Sequence, residues 1–237
     1  MFLPLSDRNK LKTMRVPSAT LSLIVLNCVI FVIELAVPKG GDIFLDAFAF
    51  VPAELFAHAP HTGNLWHLPP QLTLVSYGFL HGNFWHLAVN MLFLWTFADN
   101  VEDALGHWRF VAFYLVCGAL SALVYGWWSA DPLAPFLGAS GAVSACVGAY
   151  VMLYPRARIW ILLFMRIPLP LPAFAVAILW VATQLLFFAL GTEPNVGWSA
   201  HLAGFASGAL LVTILRRKGF PLFRSPTEAA PPAPLLD

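Results

Sequence analysis

The chain has 237 residues, 59% of them hydrophobic and only 11% charged, with a formal net charge of +1. Soluble domains are about 45–50% apolar and about 25% charged, so the composition points to an integral membrane protein, and the balanced charge gives no footprint for nucleic acid. The three cysteines, Cys28, Cys117 and Cys146, all sit in apolar runs; an odd count in such surroundings reads as buried small hydrophobes, with no disulfide framework and no metal site.

Residues 1–17 are basic and read as a cytoplasmic N-terminal segment. The first apolar run begins near Pro17 and continues for about 20 residues, a full span and not the short core of a cleavable signal. Six membrane helices are predicted, over about 18–37, 84–99, 109–129, 140–154, 171–190 and 200–215, with errors of a few residues at each end. The expected fold is therefore all-α, a single six-helix membrane domain over residues 18–216. Residues 217–237, rich in Pro and Ala, are expected to be a disordered cytoplasmic tail.

Two segments depart from plain bilayer-crossing helices. Residues 38–80 are long for a loop and carry Phe44, Leu45, Phe48, Phe50, Leu55, Phe56, Leu65, Trp66 and Leu68, which predicts short elements lying at the outer membrane surface. The fourth span offers about 15 residues, about 22 Å of helix, against a hydrocarbon core about 30 Å thick. The segment 132–139 before it must then descend into the protein, which backbone outside a helix does only when buried or facing water. This predicts a wet pocket with Ser140 at its floor.

Charge sets the expected orientation. Arg8, Lys10, Lys12, Arg15, Arg109, Arg156, Arg158, Arg166, Arg216, Arg217, Lys218 and Arg224 all fall on one side of a six-span reading, with only Lys39 opposite. Positive residues stay cytoplasmic, so both termini are placed in the cytoplasm, and the rim fits a cell membrane with an anionic inner leaflet.

Polar and ionisable residues inside membrane helices are functional hypotheses by default. His86 and Asn90 stand in the second span, Ser140 and Ser144 in the fourth, His201 and Ser207 in the sixth. These three spans run in the same direction, which puts His86, Ser140 and His201 at similar depth near the outer side. Ser140, Ser144 and Gly148 share one helical face, as do His201, Gly204 and Gly208; Gly204 and Gly208 form a GxxxG pattern that lets backbones approach. Ser140 at a helix start, beside Gly138 and Gly141, can then meet the imidazole of His201. A serine needs such a base, and free amides at the helix start, with donors from His86 and Asn90, can hold an oxyanion. No carboxylate is placed for a triad except Glu34, near the outer end of the first span, so a Ser–His dyad is the reading, with Glu34 the residue that could overturn it.

GASG around Ser140, AHLAGFASG around His201 and HGNFWHLAVN from His81 to Asn90 resemble the signatures of rhomboid proteases, and VEDALG at 101–106 resembles the segment after that family's second span. The similarity runs over roughly residues 20–215. The resemblance implies an intramembrane serine endopeptidase that cleaves transmembrane segments of other membrane proteins near their outer end, through an acyl-enzyme and with no cofactor. It implies an oxyanion site from His86, Asn90 and the Ser140 amide, and structural roles for His81, Glu102 and Gly106. One departure is Ser144, where some members carry an aromatic residue that packs on the catalytic histidine. The fifth span, entered through the proline-rich 167–172, and the first loop are the candidate access elements. The rival readings are a catalytically silent relative that binds membrane clients and a small transporter; the second lacks any repeat between the two halves.

Overall fold

The structure, a computed structural model, describes residues 2–7, 9–61, 63, 66–191 and 197–224. The described helices are α1 (Ser18–Ala36), α2 (Gly40–Phe48), α3 (Pro52–Phe56), α4 (Pro70–Ser76), α5 (Phe84–Leu105), α6 (His107–Trp128), α7 (Ser140–Leu153), α8 (Ala173–Leu190) and α9 (Trp198–Leu215). A 3-10 turn over Tyr77–Phe79 follows α4, and three strands complete the fold: β1 (Phe2–Asp7), β2 (Arg158–Leu163) and β3 (Ile167–Pro172).

Four helices, α1, α6, α8 and α9, are long and apolar enough to cross a membrane. Their outward faces are apolar: Val25, Val29, Val32 and Leu35 on α1, Ile178, Leu186 and Leu190 on α8, Leu210 and Ile214 on α9 are all exposed. A contiguous apolar exterior on this scale marks a surface made for lipid. The other two elements predicted as spans are unlike these. The 14 residues of α7 give about 21 Å of helix, and α5 carries three acidic residues in its last two turns.

The core is arranged around α7, whose residues from Gly141 to Tyr150 are all buried and which packs on α5, α6, α8 and α9. Its entry is extended chain. Phe50 and Phe136 exchange backbone hydrogen bonds of 3.0 and 2.8 Å, and the Gly138 amide donates to the Tyr77 carbonyl at 2.9 Å. The Phe136 ring stacks on Tyr125 and Tyr77 at 3.8 and 5.2 Å. The descending segment is thus satisfied by the short elements of residues 38–80, which form α2, α3, α4 and the 3-10 turn.

The second predicted span ends later than expected. The helix passes Asp99 and stops only at Leu105, with Gly106 at φ +85° as the joint to α6. The acids do not end it because they are buried and bonded. Glu102, fully buried, accepts from the amides of Ala19 and Thr20 at 3.0 and 2.7 Å and from the Thr20 hydroxyl at 2.7 Å. It serves as the N-terminal cap that α1 lacks in its own sequence, opposite the positive end of that helix. Asp103 likewise accepts from the Lys12 and Thr13 amides at 2.5 and 3.0 Å. Hydrogen bonds to a buried charge are worth about 1.5–3 kcal/mol each. Glu102→Gln turns an NH2 toward one of these donors and is expected to cost about 3 kcal/mol, read as earlier thermal unfolding in detergent.

The expectation of an all-α fold is corrected by the sheet, a three-stranded antiparallel one in the order β1-β2-β3. The alternating prolines of β3 forbid helix, yet they leave the amides of Ile167, Leu169 and Leu171 free for β2, which suits an edge strand. The N-terminal segment pairs along the other edge of β2, with an irregularity between Pro4 and Ser6. The expectation of a disordered tail over 217–237 is corrected for its first part. The Arg217 amide bonds to Ala104 O at 2.8 Å, Phe220 is buried, and the Phe223 amide bonds to Met152 O at 2.8 Å; residues 225–237 lie outside the described residues.

Asp7, at the end of β1, fastens the sheet to the bundle. Its carboxyl accepts from the Tyr150 hydroxyl at 2.5 Å and from Asn100 at 3.1 Å. Burial, with the nearby Asp99 charge, pushes the Asp7 carboxyl up to about 7. A raised carboxyl favours the folded state in its neutral form, so docking is strongest at low pH and weakens as pH rises through about 7. Protection of the β1 amides, taken relative to their intrinsic exchange rate at each pH, is expected to be higher at pH 6 than at pH 8, and Asp7→Asn to remove that difference.

Candidate active site

Three local features place His86 and Ser140. Asn83 accepts from the His86 amide at 2.9 Å and so caps α5, which sets His86 in its first turn. Gly138 stands at φ +117°, a backbone conformation open to glycine. A Cβ there would lie 2.7 Å from the His86 ring, so the imidazole occupies the place of a side chain. α7 then begins at Ser140 itself, where the first amides of a helix have no partner within it.

α9 is pressed against α7 with no side chain between them. A Cβ on Gly204 would overlap the Gly141 carbonyl oxygen, and one on Gly208 the Ala145 carbonyl oxygen. Gly141 in turn faces Ser121 of α6, with a Cβ there falling 2.6 Å from Ser121 Cβ. This close approach brings Ser140 Oγ to 2.8 Å from His201 Nε2. Both residues retain partial exposure.

The far side of the imidazole is held by α8. His201 Nδ1 lies 2.7 Å from Gln184 Oε1. Trp180, one turn earlier on α8, has its ring centroid 6.1 Å from that of His201, and Trp198 meets it edge-on at 5.8 Å. These rings support the histidine where Ser144 supplies no aromatic; the Ser144 hydroxyl instead donates to the Ser140 carbonyl at 2.6 Å. Sequence reasoning missed Gln184, Trp180 and Trp198. Gln184 stands out as a polar residue within an apolar span, but an amide is neither a base nor a carboxylate, and residue type alone does not tie it to His201.

The Asn90 amide donates to the His86 carbonyl at 2.8 Å, one turn back on its own helix. Ser207 donates to the Gly204 carbonyl at 2.9 Å. His81 is buried, its ring 5.1 Å from that of His86; burial, with His86 beside it, pushes its imidazole down to about 3 and keeps it neutral. Glu34 faces the backbone amide of His81, and Gln184 occupies the position at His201 Nδ1 that the carboxylate of a triad would take.

A model of the Rhomboid domain matches residues 63–218, which is more than half of the chain. The chain belongs to the rhomboid family. Rhomboid protein 1, mitochondrial, of Saccharomyces cerevisiae is 32% identical over 149 residues, 59% of this chain and 40% of that protein. RHOMBOID-like protein 12, mitochondrial, of Arabidopsis thaliana is 30% identical over 165 residues, covering 62% and 47%. Presenilin-associated rhomboid-like protein, mitochondrial, of Homo sapiens is 32% identical over 145 residues, covering 57% and 35%. The chain thus spans less than half the length of these relatives, and the matched residues 63–218 include Ser140 and His201.

Proposed function

We propose that this rhomboid is an intramembrane serine endopeptidase, with Ser140 as nucleophile and His201 as base. The observation that carries the reading is the 2.8 Å contact between Ser140 Oγ and His201 Nε2. His201 Nε2 takes the hydroxyl proton as Oγ attacks a peptide carbonyl carbon. The resulting oxyanion is met by amides at the start of α7 and by the ring of His86, seated on Gly138. Asn90 contributes through the amide proton not given to the His86 carbonyl. His201 returns its proton to the leaving amine, and water cleaves the acyl-enzyme by the same route in reverse.

The substrate is a transmembrane segment of another membrane protein, cut near the end of the bundle where Ser140 lies. A helix in lipid has its backbone bonds satisfied internally, so the segment must unwind locally to offer a carbonyl. On this reading α5 and α7 complete a six-span bundle, residues 38–80 rest at the membrane surface, and the proteolytic domain runs over 18–216. The basic end, where Arg217 bonds across to Thr13 at 2.6 Å, faces the cytoplasm of a cell membrane, with Ser140 toward the outer side. The catalytically silent alternative, a relative that binds membrane clients, is the second reading; the 2.8 Å contact between Ser140 Oγ and His201 Nε2 supports the hydrolytic one.

Co-expression with a single-span reporter tests this. Wild type is expected to shorten the reporter, and Ser140→Ala is not. Unaltered cutting by Ser140→Ala would end the assignment.

A further inference from the structure

The second nitrogen of His201 decides whether the first can act as a base. A neutral imidazole carries one proton, and the bare nitrogen is set by what the other one bonds. For His201 Nε2 to take the proton of Ser140, Nδ1 must keep its own and donate it. An N–H left without an acceptor in so enclosed a site is costly, so Nδ1 needs a partner. The partner at Nδ1 is Gln184 Oε1, at 2.7 Å, on a residue that is itself buried.

The amide of Gln184 is oriented by its own neighbour. Thr183 Oγ1 donates to the Trp180 carbonyl at 2.7 Å and so offers a lone pair, and Gln184 Nε2 points at it from 3.5 Å. The NH2 end therefore faces an acceptor while the carbonyl end faces Nδ1–H. The hydrogen bonds then run in one direction, from the Ser140 hydroxyl into Nε2 and from Nδ1 into Gln184. The opposite amide orientation would put a donor on Nδ1, move the proton to Nε2 and turn a donor toward the serine.

Gln184 and Trp180 are four residues apart on one face of α8, and both address the same ring. α8 exposes Phe174, Ile178, Leu185 and Leu190 on its other side. The working state of His201 thus depends on a helix other than the two that carry the serine and the histidine.

We propose that Gln184 is a positioning residue for this hydrolysis: by accepting the Nδ1 proton of His201 it fixes the tautomer that activates Ser140, and it does so only while α8 is seated against α9. The proposal rests on the proteolytic reading above. An uncharged acceptor sets tautomer and ring orientation without adding a negative charge, which separates this arrangement from a carboxylate triad. Gln184→Leu removes the acceptor at nearly constant volume. Gln184→Glu keeps an acceptor in place and adds charge, which favours the protonated ring. The titratable group facing His201 from elsewhere among the described residues is His86 on α5, and it is unchanged in both variants.

The experiment measures kcat and KM for cleavage of a transmembrane peptide by the full chain in detergent, over pH 5–9. Loss of the partner that orients a functional imidazole costs about 10–100-fold in comparable sites. Gln184→Leu is expected to lose that much in kcat, with KM within about twofold. Gln184→Glu is expected to recover most of it, with the acidic limb of its profile displaced to higher pH. Wild-type kcat and profile in Gln184→Leu would overturn the proposal. So would an equal loss in both variants, because damage to packing does not distinguish an acceptor from an alkyl group. Ser140→Ala in the same assay separates the two levels: if it cleaves like wild type the proteolytic reading fails, whereas if it is inactive and Gln184→Leu is normal only this proposal fails.

Discussion

His201→Ala is expected to reduce cleavage of a transmembrane peptide by on the order of 10,000-fold or more while leaving the chain folded. The magnitude follows from how the groups depend on one another. Ser140 without a base is an ordinary hydroxyl, so removing His201 removes both the activation of the nucleophile and the proton for the leaving amine. The double variant Ser140→Ala, His201→Ala is expected to be no worse than either single one, since the two act as a unit. The change leaves the buried Gln184 carbonyl without its partner, so a stability cost of about 1–3 kcal/mol is expected, read as somewhat earlier thermal unfolding in detergent of a chain that still folds. A fluorophosphonate that labels wild-type Ser140 should fail on His201→Ala. Retained labelling at the wild-type rate would mean that another group activates the serine.

Gly208→Val is expected to abolish activity from two turns away. Gly208 touches neither reactive group, but its Cα faces the Ala145 carbonyl of α7 so closely that any side chain overlaps it. The helices must then separate. Overpacking a tight interface costs about 1–3 kcal/mol or more, and about 1 Å of misplacement at the reacting atoms costs about 100-fold in rate. Both should appear together, as earlier unfolding and as a loss of about 100-fold in kcat. Leu210→Ala is the control on the same helix. Leu210 is 68% exposed on the outward face, and its truncation should leave cleavage unchanged. If Gly208→Val cleaved normally, contact between α7 and α9 would not be what holds Ser140 to His201.

Much of the site was legible in the residues because it depends on position along a helix. His86, Ser140 and His201 each fall in the first turns of their helix, and small residues recur at helical spacing below the latter two; both facts need only the period of 3.6. What periodicity does not carry is azimuth between helices. Asn90 shares a face with His86, and spacing alone does not say that one of its amide protons is bonded back to the His86 carbonyl, which leaves the other for the oxyanion on the proposed reading. Glu34 was the carboxylate to be excluded, and it stands at the His81 amide. The absence of an aromatic at Ser144 suggested a loosely held histidine, yet Trp180 and Trp198, from outside α7, hold the ring.

The acidic end of α5 shows the same limit in the fold itself. The predicted second span closes at Asp99, yet α5 runs on through Glu102 and Asp103 to Leu105. Their partners are Asn100, the first turn of α1 and residues 12–13, most of them more than 80 positions away. The strand pairing of residues 2–7 with 158–163 was hidden for the same reason.

The sequence by itself determined the apolar class of the chain, the order of its long helices and the positions of Ser140 and His201 at the starts of two of them, since composition, periodicity and local capping are properties of neighbouring residues. The tertiary structure alone decided which groups touch: that Nδ1 of His201 meets an amide and not a carboxylate, and that α8 supplies it. Those contacts depend on how each helix is rotated against the next, and that rotation is set by packing of the whole bundle.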